Sequence, residues 1–200
     1  MSPILTGVIA SGISGHLTPP WSPEGAYDAL ATATVPSGGL SSITFTGIPQ
    51  TGYSHLQVRI SAQSNRGTYG IDNPELTFNS DTGNNYSWHS LTGDGAGTGY
   101  NAVSTTSFIA VGDRTIGTGV SGTFGGIVID LLDYAETTKY KTTRALGGAD
   151  TNGVIAGFAG AISFSSGLWQ STSAITSITL APQHGSLFNQ YSSFALYGVK

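Results

Sequence analysis

The alternation of apolar and polar residues along this chain predicts β-strands. In residues 54–62 every second residue is apolar, from Leu56 to Ala62, and the residues between them are polar. A period of two over this length indicates a strand with one buried face and one face in water. The same alternation recurs in three further segments, residues 41–47, 175–180 and 193–199.

One predicted strand has a different pattern. Residues 126–132 form a continuous apolar run, which predicts a central strand that is buried on both faces. Gly, Pro and Asx clusters separate the strands, and no window has the apolar spacing of a helix. We therefore expect an all-β fold, an antiparallel jelly-roll-like β-sandwich of roughly 8–10 strands.

The first 25 residues differ from the rest. They are apolar and glycine-rich up to residue 15, and residues 18–23 contain three prolines, which lack the N–H that a central strand needs. We interpret residues 1–25 as an extended N-terminal arm and residues 26–200 as the sandwich domain. Such an arm either lies along its own sheet or packs on a neighbour, and its candidate interface residues are Ile4, Leu5, Val8, Ile9 and Trp21.

Composition narrows the function classes. Charged residues make up only 9% of the chain, with 7 Lys and Arg against 11 Asp and Glu, so we expect no nucleic-acid partner. The chain has no Cys, which excludes disulfides and thiolate zinc sites, and it has no apolar stretch long enough for a membrane helix. A charge-poor surface rich in Gly, Ser and Thr can pack against identical neighbours, so we expect a homo-oligomer.

The search for catalytic chemistry gives no catalytic residues and no cofactor. Residues 117–122 spell G-x-G-x-x-G, but a strand-like run follows them instead of the helix that would hold a pyrophosphate. Several carboxylates, Asp28, Glu75, Asp130 and Asp133, lie near predicted strand ends, but nothing in the sequence selects a glycosidase pair among them. We therefore do not expect an enzyme.

Two kinds of binding site have weak candidates. The oxygen-rich turns that contain Asp81, Asn85 and Asp94 could supply calcium ligands, although such residues are ordinary turn formers. Aromatic side chains that stack on sugars are the second kind. We predict Trp88 to be the best exposed tryptophan and Trp169 to be a core residue. The candidate ligand-binding set is Tyr86, Trp88, His89 and Tyr100.

Two segments carry a resemblance to a known group. Residues 78–86 read F-N-x-D-x-G-x-N-Y, and residues 191–198 read Y-S-x-F-x-L-Y-G. Together they resemble virion structural proteins of tailed bacteriophages, common in phages of cyanobacteria and marine bacteria. The resemblance covers roughly residues 40–200 and excludes the arm. It implies a jelly-roll-like domain on the exterior of a phage particle and contributes no catalytic residues.

The resemblance leaves the place on the particle open. We favour an oligomeric capsid decoration or cement protein, with a trimer as the favoured oligomer, that binds the major capsid protein through its arm. The alternative is a tail, baseplate or fibre component that binds a glycan on the host surface. Both hypotheses make the protein a structural component of the virion.

Overall fold

The computed structural model describes residues 25–67, 69–113, 115–118, 120–151 and 160–200. These residues form strands and no helix, so the predicted all-β class is confirmed. They contain fourteen strands, more than predicted, and three of the fourteen are only two or three residues long. The strands are β1 (Tyr27–Thr34), β2 (Ile43–Thr46), β3 (His55–Ser64), β4 (Ile71–Asp72), β5 (Pro74–Phe78), β6 (Tyr86–Gly93), β7 (Thr98–Thr106), β8 (Ile109–Ala110), β9 (Ile116–Thr118), β10 (Gly125–Leu132), β11 (Lys141–Asp150), β12 (Gly160–Trp169), β13 (Ser177–Pro182) and β14 (Ser193–Val199).

Two sheets make the sandwich. The large sheet has ten strands in the order β1-β14-β3-β10-β11-β12-β6-β7, with β9 paired to the end of β3 and β4 paired to β9. The small sheet has the order β2-β13-β5-β8. All pairs are antiparallel except the short β3–β9 pair. In the described part of the chain, no helix is long and apolar enough to cross a membrane.

The core lies between the sheets, and the alternating segments fill it as predicted. Val58 and Ile60 of β3 and Phe45 of β2 are buried in one cluster with Ile178 of β13 and Phe194 of β14. Apolar area removed from water contributes about 25 cal/mol per Å², so this cluster is the main stabilising contact between the sheets.

The prediction for residues 126–132 is half right. The strand β10 is central, between β3 and β11. Only one of its faces is buried, however, because Ile127, Ile129 and Leu131 point into the core while Val128 is 39% exposed. The small sheet covers one side of β10 only, so the expected burial on both faces is wrong.

An aromatic cluster sets which face of β6 and β12 points inward. The rings of Tyr86 and Trp169 stack with centroids 6.3 Å apart, and Phe78 of the small sheet lies 5.5 Å from Trp169. The three rings are almost fully buried, which confirms Trp169 as a core residue. Because side chains alternate along a strand, these rings fix the direction of every other side chain on β6 and β12.

The predicted arm can be assessed only at its C-terminal end. Strand β1 begins at Tyr27 at one edge of the large sheet. The candidate interface residues of the arm, Ile4, Leu5, Val8, Ile9 and Trp21, lie outside the described residues.

Candidate functional site

Five apolar side chains form a line across the outer face of the large sheet. Tyr100 of β7 lies opposite Leu91 of β6, which lies opposite Phe164 of β12. Phe164 is paired with Leu146 of β11, and Leu146 with Val128 of β10. We call these five residues the apolar row. Neighbouring strands are about 4.8 Å apart, so the apolar row is about 19 Å long.

The apolar row is in contact with solvent along its whole length. Tyr100 is 90% exposed, Leu146 62%, Leu91 59% and Phe164 51%. Ile162, two residues before Phe164 on the same face of β12, is 69% exposed. Single exposed apolar residues are common, but contiguous apolar patches on soluble proteins mark interaction sites.

The strands that carry the apolar row have the reverse of the usual amphipathic pattern, with polar side chains buried and apolar side chains exposed; we call this reversal the inversion. On β12 the hydroxyls of Ser163 and Ser165 point into the core, while Ile162 and Phe164 point outward. On β6 Ser90 is buried, while Leu91 is exposed. A sheet with one covered face normally places its apolar residues on that face. On β12 and β6 the exposed face therefore holds larger apolar side chains than the neighbouring positions of the buried face.

The inversion has a measurable cost in hydrogen bonding. Among the described residues, the hydroxyls of Ser90 and Ser163 and the indole nitrogen of Trp88 are buried without a hydrogen-bond partner. An unpaired buried hydroxyl costs about 1–3 kcal/mol. Ser165 is different, because its hydroxyl accepts a hydrogen bond from the backbone N–H of Gly112 at 3.1 Å.

Strand β11 shows the same inversion. Lys141 and Thr143 are buried, while Leu146 on the opposite face is exposed. The ammonium group of Lys141 donates to the carbonyl oxygens of Lys139 at 2.9 Å and Thr172 at 3.3 Å. Burial lowers the pKa of Lys141. This strand thus has a buried lysine on its inner face and an exposed leucine on its outer face.

Glycines make a shallow trough beside the apolar row. Gly126 of β10 is paired with Gly148 of β11, which is paired with Ile162 of β12, and Ile162 with Gly93 of β6. An open groove of about 880 Å³ lies around this end of the sheet, and its lining includes Gly93 and Ile162 as well as Ala149 and Ala161, which are in the inward phase of their strands. Because glycine has no side chain, another chain can approach the sheet backbone closely here.

The other half of the outer face is polar. The guanidinium of Arg59 lies 4.6 Å from the ring centroid of Tyr197 and 5.2 Å from that of Tyr27. Its Nε donates to Gln57, whose amide donates to Asp130 at 2.8 Å. The face of the large sheet thus has an apolar half at the β7 edge and a polar half at the β1 edge.

The structure separates the four predicted ligand-binding residues into two pairs. Tyr86 and Trp88 are buried, so the expectation that Trp88 is an exposed stacking platform is wrong. Both rings point inward because the Phe78–Tyr86–Trp169 cluster fixes the phase of β6. His89 and Tyr100 are exposed on the outer face, with Tyr100 in the apolar row.

The three weak metal candidates do not come together. Asp81 accepts hydrogen bonds from Gly83, from Asn85 and, at 2.7 Å, from the indole N–H of Trp169. The carboxylate of Asp94 accepts the backbone N–H groups of the next turn. Asp81 and Asp94 flank opposite ends of β6, an eight-residue strand about 25 Å long. No group of three metal-ligating side chains occurs among the residues that the structure describes.

Two further candidate carboxylates, Asp28 and Asp133, have local partners. Asp28 lies 3.1 Å from the ammonium of Lys200 and accepts the hydroxyl of Tyr53, and these contacts lower the pKa of Asp28. Asp133 contacts Lys139, which lowers the pKa of Asp133. Glu75 is on the small sheet, and its pKa is raised to about 7, mainly by burial.

The glycine-rich segment is part of a strand connection. Its first two residues end β9, and β10 begins at Gly125. The part of residues 117–122 that the structure describes is therefore followed by a strand, as expected.

A comparison with protein-family models matches no family to this chain, and a comparison with curated proteins finds no similar sequence. The resemblance to phage structural proteins therefore stays a prediction.

Proposed function

We propose that this protein is a non-enzymatic structural building block that works as a homo-oligomer and buries the apolar row against a second copy. The single observation that carries the proposal is the apolar row above inverted strands. Exposed apolar residues over buried, unpaired hydroxyls are unfavourable in a free monomer, and a covered outer face removes the exposure of the apolar residues.

The face is large enough for a stable interface. Eight strands at about 4.8 Å spacing and about 25 Å length give a face of about 850 Å². A standard interface buries about 800 Å² on each partner. Full burial of one large apolar side chain contributes about 1.5–3 kcal/mol, so the apolar row would form the energetic centre of the contact.

The charge distribution supports the same proposal. The five residues of the apolar row are uncharged, and the trough beside it consists of glycines and Ile162. Association of such surfaces does not strand a buried charge, which would cost several kcal/mol. The nearest charged side chain is Arg59 of β3, which is paired with Val128 at the end of the apolar row. Arg59, together with Arg144 and Asp130, which lie opposite each other on β11 and β10, can form the polar rim.

As the setting of this building block we propose the exterior of a tailed-phage particle, as a capsid decoration protein, with a trimer favoured. The F-N-x-D-x-G-x-N-Y and Y-S-x-F-x-L-Y-G segments support this proposal. The proposal is tested by cryo-electron microscopy of the particle that carries the protein. Sandwich density at symmetric capsid positions would support decoration, and density confined to the tail or fibres would contradict it.

The alternative is a tail or fibre component that binds a host glycan. The observation that favours it is the 90% exposure of Tyr100, near His89 on the same face. A glycan array tests it with the wild type and Tyr100→Ala. Binding that is lost in Tyr100→Ala would support glycan recognition, whereas an array without signal would count against it.

The oligomer is tested by light scattering on the full chain. We expect the wild type to have a mass that is a multiple of 20.5 kDa and the variant Phe164→Ser to dissociate at concentrations where the wild type stays assembled. Tyr140→Ser is the matched control, because Tyr140 is 52% exposed but lies off the apolar row. A monomeric wild type, or equal dissociation of both variants, would contradict the proposal.

A further inference from the structure

We infer that the apolar row and the glycine trough bind the N-terminal segment, residues 1–24, of a neighbouring copy. The inference rests on the proposed function and names the element that covers the same face. It is carried by three observations: the chemistry of the segment, the point where it joins the sandwich, and the shape of the face.

The segment matches the apolar row in charge and polarity. From Met1 to Pro23 it contains no Lys, Arg, Asp or Glu side chain, and Glu24 is its first charged side chain. Its large apolar residues are spread along its length instead of clustered in one block, as Ile4, Leu5, Val8, Ile9, Ile13, Leu17 and Trp21. The apolar row is likewise a line of uncharged side chains, about 19 Å long. About six extended residues cover that length.

The trough beside the apolar row suits an extended chain. Gly126, Gly148 and Gly93 remove side chains from three strands of the face, while Leu146, Phe164 and Leu91 stand beside them. A C-β atom added at Gly126 would meet nothing within 4 Å, so the space above β10 is open, whereas one at Gly148 would meet the backbone oxygen of Ala161 at 2.9 Å and the side chain of Ile162 at 3.4 Å. An extended segment can therefore place its backbone over Gly126 and its apolar side chains against Ile162 and the apolar row.

The attachment point favours a neighbour over the same copy. Residue 25 leads into β1, which is at the edge of the large sheet opposite to β7. The C-terminal end of β1 is level with the trough, because Thr34, Ser193, Ser61 and Gly126 are paired in one row across the sheet. Tyr27 is at the other end of β1, where it is paired with Val199, so the chain enters the sheet at the end away from the trough. A segment returning over its own sheet would have to cross the Arg59–Tyr197–Tyr27 stack before it reached Val128.

The sequence just before β1 points the same way. Residues 18–23 contain Pro19, Pro20 and Pro23. Proline-rich stretches favour an extended polyproline geometry with about 3.1 Å per residue and act as semi-rigid spacers. The 24 residues span about 80 Å when extended, enough to reach an adjacent copy.

The test is photo-crosslinking of the full chain, with Ile9 replaced by p-benzoylphenylalanine. We expect an adduct of twice the chain mass, whose cross-linked peptides map to the strands of the apolar row, which are β10, β11, β12, β6 and β7. The yield should fall at least tenfold when Phe164→Ser is added and should not change with Tyr140→Ser. A benzophenone at Thr44, on the outer face of the small sheet, is the control for unspecific reaction.

Each outcome is decisive, because the mass of the same samples is measured by light scattering. An adduct only within one chain, an adduct to the small sheet, or assembly without any adduct would overturn the inference. In the last case the proposed function would stand, because the oligomer forms without the segment on this face. A monomer at all concentrations would instead overturn the proposed function.

Discussion

Phe164 and Ser165 are neighbours on β12, and the phenyl ring points into solvent while the hydroxyl is buried under the small sheet. This arrangement, with the apolar ring exposed and the polar hydroxyl buried, is the reverse of what the hydrophobic effect favours in a sheet with one covered face. It arises because Trp169 and Tyr86 occupy the core at the other end of β12 and β6. Two aromatic anchors thus determine where the apolar row is displayed.

The buried serines give a matched pair of predictions. Ser163→Ala should stabilise the fold by about 1 kcal/mol, because it removes a buried hydroxyl that has no hydrogen-bond partner. Ser165→Ala should destabilise it by about 1–2 kcal/mol, because it leaves the N–H of Gly112 without its acceptor. Urea unfolding measures both values. Equal effects of the two substitutions would contradict the inward placement of these side chains.

Two adjacent glycines test the register of β10. A C-β atom at Gly125 would lie 1.8 Å from the backbone oxygen of Thr115, whereas one at Gly126 would meet nothing within 4 Å. We expect Gly125→Ala to cost several kcal/mol or to prevent folding, since backbone atoms must move. Gly126→Ala should change the free energy of unfolding by less than about 1 kcal/mol. Thermal unfolding of both variants checks this, and a tolerated Gly125→Ala would refute the packing of β9 against β10.

Glu75 predicts a dependence of stability on pH. Burial, together with the charge of Asp72, raises the pKa of Glu75 from 4.5 to about 7. The folded state therefore binds the proton more tightly than the unfolded state. The stabilisation is complete below about pH 4.5 and is lost as the pH rises through about 7. Because Glu75 is only half-buried, solvent screening keeps its contribution to stability well below what the full rise in pKa would give.

Glu75→Gln provides the comparison for this pH dependence. The glutamine cannot ionise, so the fall in unfolding free energy between pH 5 and pH 8 should be smaller in the variant than in the wild type. Denaturant unfolding at the two pH values measures it. An identical pH dependence in both proteins would show that Glu75 does not titrate in this window.

Asp81 links a turn to the aromatic cluster. Hydrogen bonds from Asn85 and Trp169 lower the pKa of Asp81 below its usual 3.8. The carboxylate therefore contributes stability above about pH 4, which is lost as the pH falls through the lowered pKa. Asp81→Ala should destabilise the fold by about 2–3 kcal/mol at pH 7, because it frees the buried indole N–H.

The Trp169 hydrogen bond can be separated from the rest of the Asp81 contacts by a double-mutant cycle. Trp169→Phe removes the indole N–H and keeps an aromatic ring in the cluster. In the cycle, the effect of Asp81→Ala should be smaller in the Trp169→Phe background, by about 1 kcal/mol or more. Fully additive effects would contradict a stabilising Asp81–Trp169 bond.

The sequence pattern was sufficient to predict the buried face of those strands in which all apolar residues lie on one face. The segments around Val58, Phe45, Ile178 and Phe194 alternate without interruption, and each buries the predicted face. The continuous apolar run of β10 led to the wrong prediction that both of its faces are buried, because apolar residues also occur on the exposed face of a strand. Val128 is such a residue.

The apolar row was not predicted, although the sequence contained a signal for it. On β12 the apolar residues Ile162 and Phe164 are at even-numbered positions, whereas Trp169 is at an odd-numbered position and therefore on the opposite face of the strand. On β6 Trp88 and Leu91 are likewise on opposite faces. Without a bulge between β12 and its partners, one phase has to point outward. Which phase points inward depends on the ring of Phe78 in the opposite sheet, and a local pattern does not contain that contact.

The most direct test of the covered outer face is hydroxyl-radical footprinting of the assembled full chain, read out by mass spectrometry. In an isolated chain Tyr100, which is 90% exposed, should react at least as fast as Tyr191, which is 71% exposed on a loop. We predict the opposite order in the assembled protein, with Tyr100, Leu91 and Phe164 protected and Tyr191 reactive. Equal reactivity of Tyr100 and Tyr191 in the assembled protein would contradict the claim that this face is its interface.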